Sequence, residues 1–165
     1  MKDTPSYDLP YRPCVGIALI NSQSLVFVGR RIKQGASGGW QMPQGGIEVG
    51  ESPVEAARRE LKEEVGTDKA DVIGEMENWL TYDLPPELLG AVWGGRYRGQ
   101  RQKWFAMAFT GNESDIDLNV HHEPEFNAFK WVPIADLPGL IVDFKKPVYE
   151  KVAAAFGNLA VDRNM

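Results

Sequence analysis

Length, composition and charge exclude several classes of protein. The chain has 165 residues, of which 43% are hydrophobic, a single cysteine (Cys14) and a net charge of −5. We therefore expect one folded domain without an internal disulfide, in a reducing compartment. The acidic balance argues against an extended nucleic-acid surface, and no run approaches the ~18 apolar residues of a membrane span. We expect a cytoplasmic protein that does not bind membranes, and we take it to be a monomer.

The N-terminal third predicts a polar arm followed by a β-hairpin. Residues 1–11 are polar and proline-containing, and we interpret them as a flexible arm. Residues 14–20 (CVGIALI) and 25–30 (LVFVGR) are short apolar runs typical of buried strands, with a turn between them. The loop at 34–40 is rich in glycine but lacks the lysine of a P-loop, so we do not interpret it as one.

The next segment predicts a helix over 53–65. Ser52 is a good N-cap, Pro53 suits the first helical position, Glu55 completes a capping box, and Gly66 is a natural stop. The helix therefore has both of its ends specified by local sequence.

One apolar stripe of this helix should face the core. The expected members are Val54, Ala57, Leu61 and Val65, which recur at helical spacing.

The remaining chain alternates strands with polar connections. We predict a strand over 72–84, an insertion rich in Gly and Arg over 85–103, a strand over 103–109, a polar loop over 110–125, a strand over 126–134, a turn or short helix at 136–140, and a terminal helix over 147–156. Strands mixed with two helices indicate an α+β fold, a sheet sandwiched by helices. We expect the single domain to cover 12–157 and a C-terminal tail to follow over 158–165.

A cluster of glutamates is the strongest chemical signal. Glu60, Glu63 and Glu64 fall together on one face of the predicted helix, where like charges repel by roughly 0.2–0.5 kcal/mol per pair. A solvated charged face is one interpretation. The other is a divalent-cation site, which hard oxygen ligands favour for Mg²⁺ or Mn²⁺ over Zn²⁺. Glu51, at the end of a glycine-containing loop, could turn toward the same face.

The spacing of these residues resembles the Nudix box. The order is Gly45, five residues, Glu51, seven residues, Arg59-Glu60-Leu61, one residue, Glu63-Glu64, one residue, Gly66. Thr67 departs from the aliphatic residue usual in that family, at a position that concerns packing rather than chemistry. The resemblance implies an α/β/α sandwich with a mixed sheet and a pyrophosphohydrolase that acts on phosphoric anhydride bonds.

The resemblance also implies roles for the box residues. Glu60 and Glu64 would be the main ligands of Mg²⁺ or Mn²⁺, with Glu63 close behind, Glu51 as an outer partner and Arg59 orienting the carboxylates. A metal-activated water would attack phosphorus. The general base stays open between Glu60, Glu64 and a glutamate outside the box.

Further motifs resemble one Nudix subfamily, that of RNA pyrophosphohydrolases and dinucleoside polyphosphate hydrolases. They are YRPCVGI, WQMPQGGI, NWLTYDLPPEL, GQRQKWF, PEF-x-x-FKW and DFKKPVY, which span about Tyr11 to Phe156. WLTYD-x-PP and the WGG segment lean toward the dinucleoside branch. The substrate would be a nucleotide polyphosphate such as Ap4A or a 5′-polyphosphorylated RNA end.

Substrate-binding residues are carried over from the same resemblance. Arg12 and Arg31 would approach phosphates or nucleotide, Tyr82, Gln100 and Lys103 would line the polyphosphate channel, and Phe144 would stack on a base beside Val142 with Lys145 near a phosphate. Glu125 would be a further metal ligand or catalytic base. Without the resemblance, Tyr82 and Phe144 could be core aromatics, Lys103 an edge charge and Glu125 an ordinary loop carboxylate.

Several remaining residues are expected to have structural roles or to lie in solvent, without a part in the chemistry. The His121-His122 pair lacks partner ligands at useful spacing and is expected in a solvated loop, and Cys14 is expected to pack in the core. The tryptophans are expected in the core or at its rim instead of forming a nucleic-acid surface. Trp93, in the insertion rich in Gly and Arg, is the one candidate for a binding role. Besides the lead function, the sequence is compatible with a nucleotide-sugar or dinucleotide-cofactor pyrophosphatase, and with a non-catalytic nucleotide-binding module.

Overall fold

The computed structural model describes residues 7–32 and 39–162. The strands are β1 (Tyr11–Ile20), β2 (Leu25–Arg31), β3 (Trp40–Gln41), β4 (Gln44–Gly46), β5 (Ala70–Glu75), β6 (Leu80–Asp83), β7 (Gly99–Phe109) and β8 (Phe126–Pro133). Within these ranges the α-helices are α1 (Pro53–Val65) and α2 (Lys146–Asp162). Residues 1–6 of the predicted arm and most of the predicted glycine-rich loop lie outside the described residues.

A mixed sheet forms the centre of the fold. β1 and β7 pair in parallel along their whole length, and all the other described strand pairs are antiparallel. The main path runs β3-β2-β1-β7-β5, with β4 paired to β1, β6 to β7 and β8 to β2. The predicted hairpin is present, because β1 and β2 are consecutive and antiparallel.

Each face of the sheet is covered by one helix. Val15, Ile17 and Leu19 point from β1 into a core shared with α1, while Ala18 and Ile20 point into a core shared with α2. This alternation follows from the two-residue repeat of a strand. The prediction of an α+β, α/β/α sandwich is therefore confirmed.

Helix α1 has the predicted bounds and the predicted capping box. Ser52 Oγ accepts from the Glu55 backbone N–H, the Glu55 carboxylate accepts from the Ser52 N–H, and Gly66 ends the helix with a left-handed φ of 88°. The predicted stripe is wrong at Val54, which is 37% exposed, whereas Ala56 is buried. Val54 lies in the first turn, before the helix passes under the sheet.

Several other predicted bounds differ from the structure, among them the start of β1, which is Tyr11 instead of residue 14. The strand predicted over 72–84 is two strands, β5 and β6, which pair with opposite halves of β7. The connection between them turns at Met76 and Glu77, whose carbonyls accept from Lys103. The predicted insertion is shorter because 99–103 belong to β7, and α2 extends six residues beyond the predicted 147–156, from Phe156 to Asp162.

Among the described residues, no helix combines the length and the apolar character needed to cross a membrane.

Candidate active site

A cavity of about 560 Å³ opens where the parallel strands β1 and β7 begin. It gathers residues from distant parts of the chain: Arg12, Arg31, Gln44, Gly45, Gly46, Glu60, Glu63, Glu64, Tyr82, Leu84, Leu88, Val92, Trp93, Gln100, His121, Glu123, Glu125, Phe144 and Lys145. One wall is acidic, and the others are basic, aromatic or apolar. Such a cavity has the chemistry to hold a cation and a polyanion at once.

The acidic wall comes mainly from α1, which lies close under β4. Glu60 is only 8% exposed, and a Cβ atom on Gly45 would overlap its carboxylate. Glycine at position 45 therefore lets the strand approach the helix closely enough to bury Glu60. Glu64, one turn later, accepts a hydrogen bond from the Gln44 backbone N–H at 3.2 Å.

Burial makes these carboxylates unusually basic. It raises the pKa of Glu60 to about 7, while Arg59 opposes this shift and Glu63 adds to it. Burial also raises the pKa of Glu64 well above its usual value, and repulsion from Glu60 and Glu125 raises it further. These shifts disfavour the charged form of both carboxylates when no cation is near.

Arg59 holds three carboxylates in place. Its Nε and Nη2 donate to the two oxygens of Glu51 at 2.7 and 3.0 Å, and its Nη1 donates to Glu60 Oε2 at 3.0 Å and Glu63 Oε2 at 3.3 Å. Nη2 also donates to the Gly46 carbonyl at 2.8 Å. Arg59 therefore ties α1 to β4 and to the loop that carries Glu51.

The basic wall faces this acidic one. Arg31 donates from Nε to Glu125 Oε2 at 2.9 Å, which couples β2 to the loop before β8. Lys145 is 7% exposed, and its Nζ lies 5.5 Å from the Tyr82 ring centroid and 5.9 Å from that of Phe144. Tyr82 and Phe144 pack against each other with centroids 5.6 Å apart.

A model of the NUDIX domain matches residues 10–152 of this chain. The chain belongs to the Nudix family. It is 53% identical to an RNA pyrophosphohydrolase of Bradyrhizobium sp. (strain ORS 278), over 93% of this chain and 96% of the relative. An RNA pyrophosphohydrolase of Rhodospirillum rubrum is 56% identical, over 93% of this chain and 91% of the relative. The prediction of a Nudix pyrophosphohydrolase is thus confirmed.

Solved Nudix structures share the fold. The E. coli dihydroneopterin triphosphate pyrophosphohydrolase has a TM-score of 0.66 at 20% identity, covering 88% of this chain and 99% of that one. A C. elegans Ap4A hydrolase has a TM-score of 0.60 at 15% identity, covering 88% of this chain and 98% of that one. At these identities the likeness concerns the fold alone.

Most of the residues predicted for the Nudix site lie together. The cavity lining contains Arg12, Arg31, Glu60, Glu63, Glu64, Tyr82, Gln100, Glu125, Phe144 and Lys145. Gln100 is held at the lining by a buried amide, because Gln102 Nε2 donates to Gln100 Oε1 at 2.7 Å and to Gln44 Oε1 at 3.1 Å. Val142 lies beside Phe144 and packs against the core instead of lining the cavity.

Lys103 lies outside the cavity lining. Successive side chains of β7 point to opposite faces, so Lys103 points away from the face shared by Gln100 and Gln102. Its Nζ donates to the Met76 carbonyl at 2.6 Å and pairs with Glu75 at 3.0 Å. This position does not support the channel role that the resemblance implied, and Lys103 instead closes the turn between β5 and β6.

Sequence reasoning missed a part of the lining. Leu84, Leu88, Val92 and Trp93 come from the connection between β6 and β7, and of these only Trp93 stands out in the sequence. His121, expected in a solvated loop, also lines the cavity, with its Nδ1 accepting from the Glu123 backbone N–H at 3.2 Å. No spacing rule marks these residues, because they are brought together only by loops.

The residues of the acidic wall fit a divalent cation by their chemistry. Hydrolases of the Nudix family use divalent metal ions. Within the described ranges, no three His, Cys, Asp or Glu side chains converge on one point. Arg59 Nη1 donates to one oxygen of Glu60 and to one oxygen of Glu63. Crowded, buried carboxylates with raised pKa values are nevertheless groups that a dication would stabilise in the charged form.

Proposed function

We propose that this protein is a divalent-metal-dependent hydrolase of 5′-polyphosphate ends, with triphosphorylated RNA as its main substrate. The observation that carries the proposal is the identity of 53–56% to two RNA pyrophosphohydrolases over more than nine-tenths of this chain and of each relative. The cavity supports it, since cationic, carboxylate and aromatic groups meet there. We further propose that it acts in the cytoplasm as a monomer.

Mg²⁺ or Mn²⁺ would be held by Glu60, Glu63 and Glu64 of the acidic wall, together with Glu125 from the loop before β8. When bound, the cation supplies charge neutralisation and activation of water. Arg59 and Glu51 keep the α1 carboxylates oriented toward the cavity, and the Gln44 N–H fixes one oxygen of Glu64. These contacts restrict the carboxylates before any ligand enters, which limits the reorganisation needed for reaction.

The basic wall would bind the polyphosphate. Arg12, Arg31 and Lys145 present cations that suit phosphate oxygens, the arginines as planar forks and the lysine as a compact charge. Tyr82 and Phe144 form an adjacent aromatic surface on which a base would stack. The polyphosphate is therefore positioned between cationic side chains and the acidic wall.

The reaction breaks one phosphoric anhydride bond. The oxygen of a water molecule forms a new bond to phosphorus, the bridging P–O bond breaks with its electron pair leaving on the departing phosphate, and the water proton passes to a carboxylate. Glu60, Glu64 and Glu125 are the candidate acceptors. In the cation-free site, burial and repulsion raise the pKa values of Glu60 and Glu64, which makes both groups stronger proton acceptors than an ordinary carboxylate.

A second candidate substrate is a dinucleoside polyphosphate such as Ap4A. The WLTYD-x-PP and WGG segments favour it, and both contribute residues to the cavity. A nucleotide sugar, a dinucleotide cofactor and a purely binding role have less support, because the two relatives at 53% and 56% identity are both RNA pyrophosphohydrolases.

Turnover of triphosphorylated RNA and of Ap4A, measured side by side with Mg²⁺, tests the proposal. We expect faster hydrolysis of triphosphorylated RNA than of Ap4A. In Glu64→Gln and in Glu60→Gln, kcat should fall about 10²–10³-fold. Glu150→Gln, an exposed carboxylate on α2, is the matched control and should keep full activity.

Faster cleavage of Ap4A would replace RNA by the dinucleotide as main substrate. Unchanged turnover in both glutamate variants would contradict the assigned metal site.

A further inference from the structure

Trp93 occupies a backbone conformation that its side chain disfavours. Its φ is +51°. Among the described residues other than glycine, Ser24 is the only other one with a positive φ. In this region the Cβ atom crowds the backbone, so a bulky residue is strained there. Strain of this kind concentrates at functional positions, where surrounding structure maintains it.

The chain around Trp93 is built to allow this turn. Gly94 and Gly95 follow with φ values of 67° and 73°, and a Cβ atom on Gly95 would lie 3.0 Å from the Gly90 carbonyl oxygen. The glycines explain how the turn forms, but they do not explain why a tryptophan heads it. Position 93 itself would accommodate glycine with less strain.

The indole of Trp93 lines the cavity beside a cation. The Arg12 guanidinium carbon lies 5.7 Å from the centroid of the ring, and Tyr97 meets the indole edge-on at 6.2 Å. Leu88 and Val92 complete an apolar surface around it. A ligand whose phosphate lies on Arg12 would bring its attached nucleoside within reach of this surface.

The cavity therefore contains two pairs of an aromatic group and a cation. Phe144 and Tyr82 accompany Lys145, and Trp93 accompanies Arg12. The two pairs come from different parts of the chain. Phe144 and Lys145 lie in the segment before α2 and Tyr82 on β6, whereas Trp93 lies between β6 and β7 and Arg12 on β1. One base needs only one of these surfaces.

We propose that Trp93 is a specificity-determining residue that stacks on a second nucleobase of the substrate, while Phe144 holds the other. Trp93 accordingly adds affinity for a substrate with two nucleosides and adds none for a nucleoside triphosphate. This inference rests on the proposed function and adds to it the residue that reads the length of the substrate.

Equilibrium binding to the full-length protein tests this role without turnover. In a Glu64→Gln background, the affinity for a 5′-triphosphorylated dinucleotide and for the matching nucleoside triphosphate is measured with Mg²⁺ present. Trp93→Ala should weaken dinucleotide binding about tenfold, the size of loss expected when one base-stacking contact is removed. Binding of the nucleoside triphosphate should change less than about twofold, because its one base would stack on Phe144.

Two more substitutions and a control make the result interpretable. Trp93→Leu keeps apolar packing but removes the ring, so it should show the same selective loss even if Trp93→Ala does not fold, whereas Trp93→Phe should retain most of the affinity. Trp79→Ala is the matched control. The guanidinium carbon of Arg101 lies 4.1 Å from the centroid of the Trp79 ring, and Trp79 does not line the cavity. It should leave both affinities unchanged.

Equal loss for both ligands, or full affinity in Trp93→Leu, would overturn the inference. Failure of the proposed function appears separately, as absence of RNA turnover by the unsubstituted enzyme. Selective loss of dinucleotide binding would still establish the second base surface in that case.

Discussion

Lys145 shows how burial tunes a single charge in the cavity. Its side chain is nearly inaccessible, and burial lowers its pKa to about 8. The charge of Arg31 contributes to this lowering of the pKa, and Glu125 opposes it. The Lys145 ammonium is thus mostly charged at neutral pH and loses its proton as the pH rises through about 8.

We predict that substrate binding weakens as the pH rises through about 8. Loss of the Lys145 charge should raise KM above about pH 8. Lys145→Arg keeps its charge, so KM of this variant should not rise in that range. The pH profile of KM for both forms measures the effect. An identical limb in Lys145→Arg would show that another group titrates.

The same pKa shift predicts an effect on stability. Between pH 8 and 10.5 the unfolded chain binds more protons at Lys145 than the folded protein does. The free energy of unfolding should therefore gain from this residue as the pH rises through that window, because the buried ammonium becomes neutral. Chemical denaturation of the parent and of Lys145→Met across this range would detect the difference in slope.

At the scale of elements, the close approach of β4 and α1 creates the acidic wall. Gly45 on β4 leaves room for the Glu60 carboxylate, and Arg59 bonds the Gly46 carbonyl from the helix. The capping box at Ser52 fixes where the helix begins, and hence which residues face β4. The fixed number of residues between Gly45 and Glu60 in the Nudix box therefore reflects this contact between β4 and α1.

Gly45→Ala should disable the site while leaving the fold in place. The added methyl group would overlap the Glu60 carboxylate and displace it, and a displacement of about 1 Å at a catalytic group can cost ~10²-fold in rate. We expect a loss of that size in kcat with Mg²⁺.

Gly139→Ala is the matched control, since a Cβ atom there has no neighbour within 4 Å. A fully active Gly45→Ala would show that Glu60 does not need its buried position.

At the scale of the whole molecule, charge is separated rather than balanced. The chain carries a net charge of −5, yet Arg12, Arg31 and Lys145 converge on one cavity. A polyanion therefore finds cations on one wall of the cavity, next to the glutamates of the acidic wall.

This distribution predicts a shallow dependence of RNA affinity on salt. About three phosphates contacted on a single strand give a slope of roughly −2 in log K against log salt concentration. Titrations with RNAs of increasing length measure it, and the slope should stay constant once the 5′ end is bound. A slope that grows with RNA length would reveal a wider binding surface.

The sequence by itself determined the local elements and the chemistry of α1. Caps, helical spacing and glycine positions act between neighbours in the chain, so residues 53–65 and their glutamates could be assigned before any folding was considered. The resemblance over nearly the whole chain then placed Arg12, Arg31, Tyr82, Glu125, Phe144 and Lys145 in one site, where the cavity contains them.

Only the tertiary structure decided which side chains share that cavity and which are held elsewhere. Lys103 looked like a channel lysine in sequence, but the alternation of β7 and the carbonyl of Met76 hold it outside. Trp93 and His121 gave no periodic signal, yet loops bring both to the lining. Burial, close approach and loop placement depend on contacts between residues far apart in the chain, which local patterns do not encode.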